Sequence, residues 1–177
     1  ANLKGADLQG ADLQEANLEG ANLEGAKLGG VKLERAYLIE ANLQGANLEG
    51  AKLKGAKLER AKLERAYLIE ANLEGAYLIE ANFQGANLEG ANLKWTYLIG
   101  ANFNEAKLDR ADFKGASLKR ANLKKANLEG ANLEGANLEE AHYLTVDQLS
   151  KVKTLYNAKL DEELYIPLKK KYPALFE

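Results

Sequence analysis

The chain repeats itself every five residues, without interruption, from Ala1 to Glu140. Cut at that period, these residues form 28 consecutive units, with Ala first in 26 of them and Leu or Phe third in all. Repetition at a fixed period is typical of solenoids, in which each repeat packs on its neighbours around a continuous core. The repeat therefore predicts an elongated molecule with long surfaces and no deep pocket.

A period of five fits neither a helix nor a straight strand. On a helix the apolar stripe would wander around the cylinder, and on a strand it would change face at every unit. A chain that turns a corner every five residues keeps every Ala and Leu inside. Gly is fifth in 15 units, which suits the positive φ of a type II turn. The other 13 units carry Glu, Arg, Lys or Trp there, which favours a type I-like corner.

The tandem A-[N/D]-[L/F]-x-x pattern over Ala1 to Glu140 resembles the pentapeptide-repeat family. This resemblance implies an all-β solenoid, namely a right-handed, four-sided β-helix with four units per coil and about seven coils, roughly 34 Å long. The second and fourth residues of each unit would then point outward. Phe83 and Phe103 should be vertical neighbours one coil apart, with Phe113 on a different side.

We expect two regions: a β-helix over residues 1–144 and a helical C-terminal cap over 145–177. Thr145 and Gln148 have the spacing of a capping box, and the apolar residues that follow predict a helix over 146–157.

A second short helix is predicted after Asp161. Pro167 is expected to interrupt it or to start another turn, and Pro173 to end that. Two roles for this tail stay open. It could cover the last coil of a monomer, or form a C-terminal dimer interface as the family resemblance allows for some members.

Composition excludes several functions. There is no Cys, so thiol chemistry and disulfides are absent, and the net charge is −2 from 24 basic and 26 acidic residues. That balance lacks the basic stripe of a nucleic-acid binder and the acidic stripe of a DNA mimic. No apolar run is long enough to cross a membrane. Because the chain starts at Ala1 inside a repeat, we expect a soluble segment of a longer protein. Whether upstream sequence tethers it stays open, and no compartment is indicated.

No group of residues predicts catalysis, a cofactor or a metal. His142 is the sole histidine, and the carboxylates lie on regular outward columns where they are solvated. Asn is second in 14 units, and its side chain is expected to hydrogen-bond along the stack or to the corners.

The units with Tyr-Leu-Ile depart from this pattern. They begin at residues 36, 66, 76 and 96, and residues 20 apart should stack. Trp95 is expected at the adjoining corner, with its ring left uncovered by Gly75 and Gly115. The candidate interaction patch consists of Tyr37, Ile39, Tyr77, Ile79, Trp95, Tyr97 and Ile99. It has two interpretations, a protein-binding surface or cross-strand stacking that stiffens the sheet.

The sequence thus favours a non-enzymatic scaffold that binds an unknown protein partner. The alternative, known for some pentapeptide-repeat proteins, is inhibition or protection of a type II topoisomerase by DNA mimicry. The mixed Lys and Glu columns disfavour it.

Overall fold

The computed structural model describes residues 1–177, and up to His142 its backbone pairs with itself at a constant spacing of 20 residues. Parallel bridges join the second residues of stacked units, from Asn2 and Asn22 to Asn122 and His142. Bridges recur every five residues, so each coil has four sides. Each side contributes one bridge residue, so no strand is longer than a single bridge.

Ala and Leu fill the interior of the stack, where most are fully buried. The rings of Phe83 and Phe103 lie 4.9 Å apart and 5° from parallel, whereas Phe103 and Phe113 meet edge to face at 6.1 Å. The predicted placement of these three rings is confirmed. Thr96, which replaces an Ala, is also buried, and its hydroxyl donates a hydrogen bond of 2.7 Å to the carbonyl of Leu93.

Backbone pairing leaves one N–H per unit without a main-chain partner. In the unit 21–25, Asn22 N–H bonds the preceding coil, Leu23 and Gly25 N–H bond the following coil, and Ala26 N–H closes the corner. The remaining N–H, that of Glu24, donates to Asn22 Oδ1 at 3.1 Å. Every Asn and Asp at the second position accepts this bond, at 3.0–3.3 Å. The Asn columns therefore complete the hydrogen bonding of the coil.

All corners of the repeat have the same backbone conformation. The fifth residue has φ between 61° and 68° where it is Gly and between 55° and 59° where it is not. The prediction of type I-like corners at non-glycine residues is therefore wrong. Every corner N–H except those of Lys125 and Glu140 donates to a carbonyl of the next coil, as Arg60 does to Ile79 at 2.9 Å. Stacked corners therefore adopt the same conformation whatever their sequence. A non-glycine corner bears a cost of roughly 1–2 kcal/mol for this.

Helix α1 spans Val146–Leu149, and the predicted capping box between Thr145 and Gln148 is present. The prediction that this helix continues to residue 157 is wrong. Instead the solenoid resumes, because Thr154 pairs with Asn132 across 22 residues.

The resumed coil buries Leu155 in the core. Thr154 accepts the N–H of Tyr156 at 3.0 Å, in the manner of the Asn residues. Of the apolar residues that suggested a long helix, Val146 and Leu149 lie in α1, whereas Leu155 belongs to the first of two resumed solenoid units.

Helix α2 spans Glu162–Lys171, and a 3-10 turn spans Pro173–Phe176. Pro173 ends α2 as predicted. Pro167 lies inside α2 and neither interrupts the helix nor starts a separate turn, so both alternatives predicted for it are wrong. Leu164 and Leu168, on either side of this proline, pack against the core and hold the helix together. The tail thus covers the last coil.

Candidate interaction face

One side of the solenoid carries two outward columns that differ from the rest of the molecule. The second-position column runs from Tyr37 through Lys57 and Tyr77 to Tyr97, as the bridges between them show. The fourth-position residues of the same units form the other column. We call the following four rows the aromatic face: Tyr37 and Ile39, Lys57 and Glu59, Tyr77 and Ile79, Tyr97 and Ile99.

Tyr77 and Tyr97 form the centre of the aromatic face. Their rings lie 4.8 Å apart and 11° from parallel, and the side chains are 38% and 44% exposed. Ile99 is exposed and Ile79 is half-buried beside them. Because each ring covers one face of its neighbour, the pair presents ring edges to solvent. The sequence analysis predicted that these four side chains lie together, and they do so in the structure.

Tyr37 lies two coils away from Tyr77, and Lys57 occupies the position between them. The Lys57 ammonium is 4.6 Å from the centre of the Tyr37 ring, within the range of a cation–π interaction. Lys57 therefore joins Tyr37 to the face. Tyr67 is on a different side, where it pairs with Asn47 and Asn87, so it is not part of the face.

Trp95 lies at the corner next to the aromatic face and is 57% exposed. Its ring packs on Gly115, since a Cβ built on Gly115 would come within 2.2 Å of the ring. The expectation that both glycine neighbours leave the ring uncovered is therefore wrong. Only the direction of Gly75 is open, where a Cβ would meet nothing within 4 Å.

Lys57 and Glu59 are the residues of this face that sequence reasoning missed. Both are half-buried, and Glu59 Oε2 is shielded from solvent yet has no hydrogen-bond partner. Glu59 lies between Ile39 and Ile79, which cannot supply one. The signal was present in the sequence, because Lys57 is 20 residues from both Tyr37 and Tyr77.

The tyrosine units also give up a hydrogen bond. Tyr77 has no side-chain acceptor to reach the N–H of Ile79, whereas Asn at that position elsewhere accepts it. A tyrosine here thus forgoes about 0.5–1.5 kcal/mol. The stacking of Tyr77 on Tyr97 offsets part of this loss.

Charges on the other sides neutralise one another between coils. Lys54 Nζ lies 3.0 Å from a Glu74 carboxylate oxygen, and this hydrogen bond lowers the pKa of Glu74. Hydrogen bonds from Arg120 and then Lys119 lower the pKa of Glu140 in the same way. Alternating pairs of this kind do not produce a stripe of one sign.

The outward carboxylates do not gather into a site. No group of three or more His, Asp or Glu side chains is placed to hold a metal ion. One surface depression is lined by Gly45 and by polar residues that include Glu24, Gln44 and Glu64. None of the helices has the length and apolar character needed to cross a bilayer.

Comparison with known proteins agrees with this architecture. A family model described as pentapeptide repeats matches in eight copies, in overlapping stretches from residue 1 to residue 142. A search of curated proteins returned no significant match.

Among solved structures, the plasmid-mediated fluoroquinolone resistance protein QnrB1 is similar at 19% identity. The alignment covers 97% of this chain and 90% of QnrB1, with a TM-score of 0.59. At that identity the likeness shows the fold alone. The pentapeptide repeat protein Rfr23 from the cyanobacterium Cyanothece is 35% identical over 71% of this chain and 64% of its own, with a TM-score of 0.42.

Proposed function

This chain belongs to the pentapeptide-repeat family, and from that premise we propose that it is a non-enzymatic scaffold that binds a protein partner through the aromatic face. We propose further that the scaffold is a right-handed rod of about seven regular coils. A rod of this kind presents fixed columns of side chains at a constant spacing, which suits recognition of an extended surface rather than turnover of a small molecule.

The observation that supports this proposal most is the exposed stack of Tyr77 and Tyr97. Elsewhere the second position carries mostly Asn, Asp or Lys, and the large apolar side chains lie inside. Tyrosine supplies a large contact area with little conformational entropy to lose, and it is enriched among residues that dominate binding energy. Adjacent Ile99 and Trp95 extend the same apolar area.

Topoisomerase inhibition by DNA mimicry is not favoured. A mimic must place carboxylates along the rod at phosphate-like intervals, without cations between them. Here Lys54 alternates with Glu74, and Lys114 with Glu134, at 3.0 Å in both pairs. We expect gyrase supercoiling to be unaffected at micromolar protein.

The proposal is tested with a triple variant, Tyr77→Asn, Tyr97→Asn and Ile99→Glu, which introduces residues that the array uses elsewhere. A matched control is Tyr67→Asn, because Tyr67 is 53% exposed on another side. Immobilised wild type, triple variant and control are compared in pull-downs from native extract. We expect the triple variant to lose partners that wild type and control both retain, with unchanged melting. Retention by all three proteins contradicts the proposal.

A further inference from the structure

We propose that the aromatic face binds the same face of a second copy of this chain, with the two rods parallel and related by a twofold axis along their length. This inference rests on the proposed function, since it names the partner of the same site.

Two copies of one solenoid share the same spacing between coils, so their rows stay aligned along the whole contact. A twofold axis parallel to the rods keeps each row opposite its own copy and exchanges the two columns. Second-position residues of one copy therefore face fourth-position residues of the other. Closed twofold contacts of this kind need a surface that is complementary to itself.

The aromatic rows meet this condition. Exchange of the columns places Tyr77 over Ile79 of the other copy, and Tyr97 over Ile99. The row of Tyr37 and Ile39 behaves in the same way. Each such row therefore buries two Tyr–Ile contacts across the interface, and the exposed ring edges of the Tyr77–Tyr97 stack lie against aliphatic side chains.

The charged row of Lys57 and Glu59 is also complementary to itself under the twofold axis. Exchange places Lys57 over Glu59 of the other copy, which forms two ion pairs in the row between the aromatic ones. Neither residue has an ion-pair partner within 4.0 Å in its own chain. Glu59 Oε2, which lacks a hydrogen-bond partner in its own chain, would gain the ammonium group of Lys57 of the other copy once the carboxylate rotates outward. Tyr–Ile and Lys–Glu are thus the only two kinds of row in the face, and each complements itself.

The edges of the face are compatible with this arrangement. Trp95 and Gly100 are the two corner residues that flank the Tyr97 row, so the exchange brings the indole near a bare glycine corner. An antiparallel pairing centred on Tyr77 and Tyr97 places Lys57 opposite Ser117, so Lys57 gains no carboxylate partner in that arrangement.

The test uses two single charge reversals on the intact chain, Lys57→Glu and Glu59→Lys. Each alone places like charges opposite one another in a homodimer, so we expect it to weaken self-association at least about tenfold. Mixed in equal amounts, the two variants restore both ion pairs as a heterodimer. Mass is measured by sedimentation and light scattering at about 100 µM protein, well above the micromolar range expected of a small interface.

A second readout is the fluorescence of Trp95, the sole tryptophan. Its emission should shift to shorter wavelength with increasing wild-type concentration, and in the mixture but not in either variant. Thermal melts confirm that both variants are folded, since their side chains point outward.

Several results would overturn the inference. They are a wild-type protein that stays monomeric, a dimer whose affinity neither charge reversal changes, and a mixture of the two variants that does not form a heterodimer. A dimer lost only on removal of the tail after Asp161 would assign the contact to the C-terminus instead. A monomeric wild type whose triple variant still loses an extract protein would leave the proposed function standing and reject this inference alone.

Discussion

The rings of Tyr77 and Tyr97 stack at 4.8 Å, and the rings of Phe83 and Phe103 stack inside the molecule at 4.9 Å. Both distances equal the spacing of adjacent strands in a sheet. Aromatic residues 20 positions apart therefore stack without any adjustment of the backbone. The Tyr77–Tyr97 pair stiffens the side on which it lies and exposes its edges at the same time, so stiffening and binding must be separated by experiment.

Within one unit, a substitution in the core should change the free energy of unfolding much more than a substitution on the surface. Leu78→Ala leaves a cavity in the core and should lower the free energy of unfolding by roughly 2–5 kcal/mol. Tyr77→Asn loses the stacking contact but gains the hydrogen bond to the Ile79 N–H, so its net change should stay within about 1 kcal/mol. Denaturant titration measures both. A large decrease in the free energy of unfolding of Tyr77→Asn would show that the main role of the tyrosine stack is to stabilise the fold.

The role of Asn can be transferred to a unit that lacks it. Lys52 is exposed at the second position, where Asn would accept the N–H of Lys54. Lys52→Asn should raise the free energy of unfolding by about 0.5–1.5 kcal/mol. The reciprocal variant Asn42→Ala removes the bond of 3.2 Å to the Gln44 N–H and should lower it by a similar amount. A neutral result for both would show that water satisfies this N–H equally well.

Two glycine corners should respond differently to the same change. Gly75 and Gly115 have φ of 66° and 67°, so an alanine at either bears the left-handed cost. Only at Gly115 does the new methyl group collide with the Trp95 ring. Gly115→Ala should therefore be less stable than Gly75→Ala by about 1–3 kcal/mol and should change the tryptophan emission. Equal melts and spectra would place the indole elsewhere.

Acid should weaken the ion pair at Glu140. Hydrogen bonds from Arg120 and Lys119 lower the pKa of Glu140 in the folded state. A lowered folded pKa stabilises the protein above the ordinary glutamate pKa of about 4.3, and that contribution disappears as the pH falls through the folded value. The melting temperature of Glu140→Gln should thus fall below that of wild type near neutral pH and converge with it in acid. Glu19→Gln, an exposed carboxylate outside any ion pair, should differ little from wild type at either pH.

The period alone predicts that the chain turns a corner every five residues. The four sides of the coil came from the resemblance to the pentapeptide-repeat family, and once the coil has four sides the stacking of Phe83 on Phe103 follows from their spacing of 20 residues. The corners were less predictable, since residues such as Arg60 have no intrinsic preference for positive φ. Their conformation is imposed by the hydrogen bonds of the coils on either side, which local sequence does not reveal.

The tail was predicted less well for a related reason. Val152 and Leu155 lie three positions apart in the sequence. This spacing is compatible with one face of a helix and also with the solenoid repeat. Pairing with the preceding coil decides between the two, and that pairing is non-local. The candidate face was found from Tyr77 and Tyr97, but Lys57 and Glu59 were overlooked because their residue types are common on every side.

The coil that contains α1 takes up two residues more than any other, yet Thr154 and Lys159 rejoin the stack in phase. Gln148 makes this possible, since its amide donates to the carbonyls of Leu123 and Ala126 at 2.8 and 3.0 Å. The Ala126 carbonyl is the one with which the next coil would otherwise pair. One side of a coil can thus be exchanged for a segment of different length without disturbing the rest. The stretch around α1 is accordingly the natural place to graft a reporter, an affinity tag or a foreign loop into the rod.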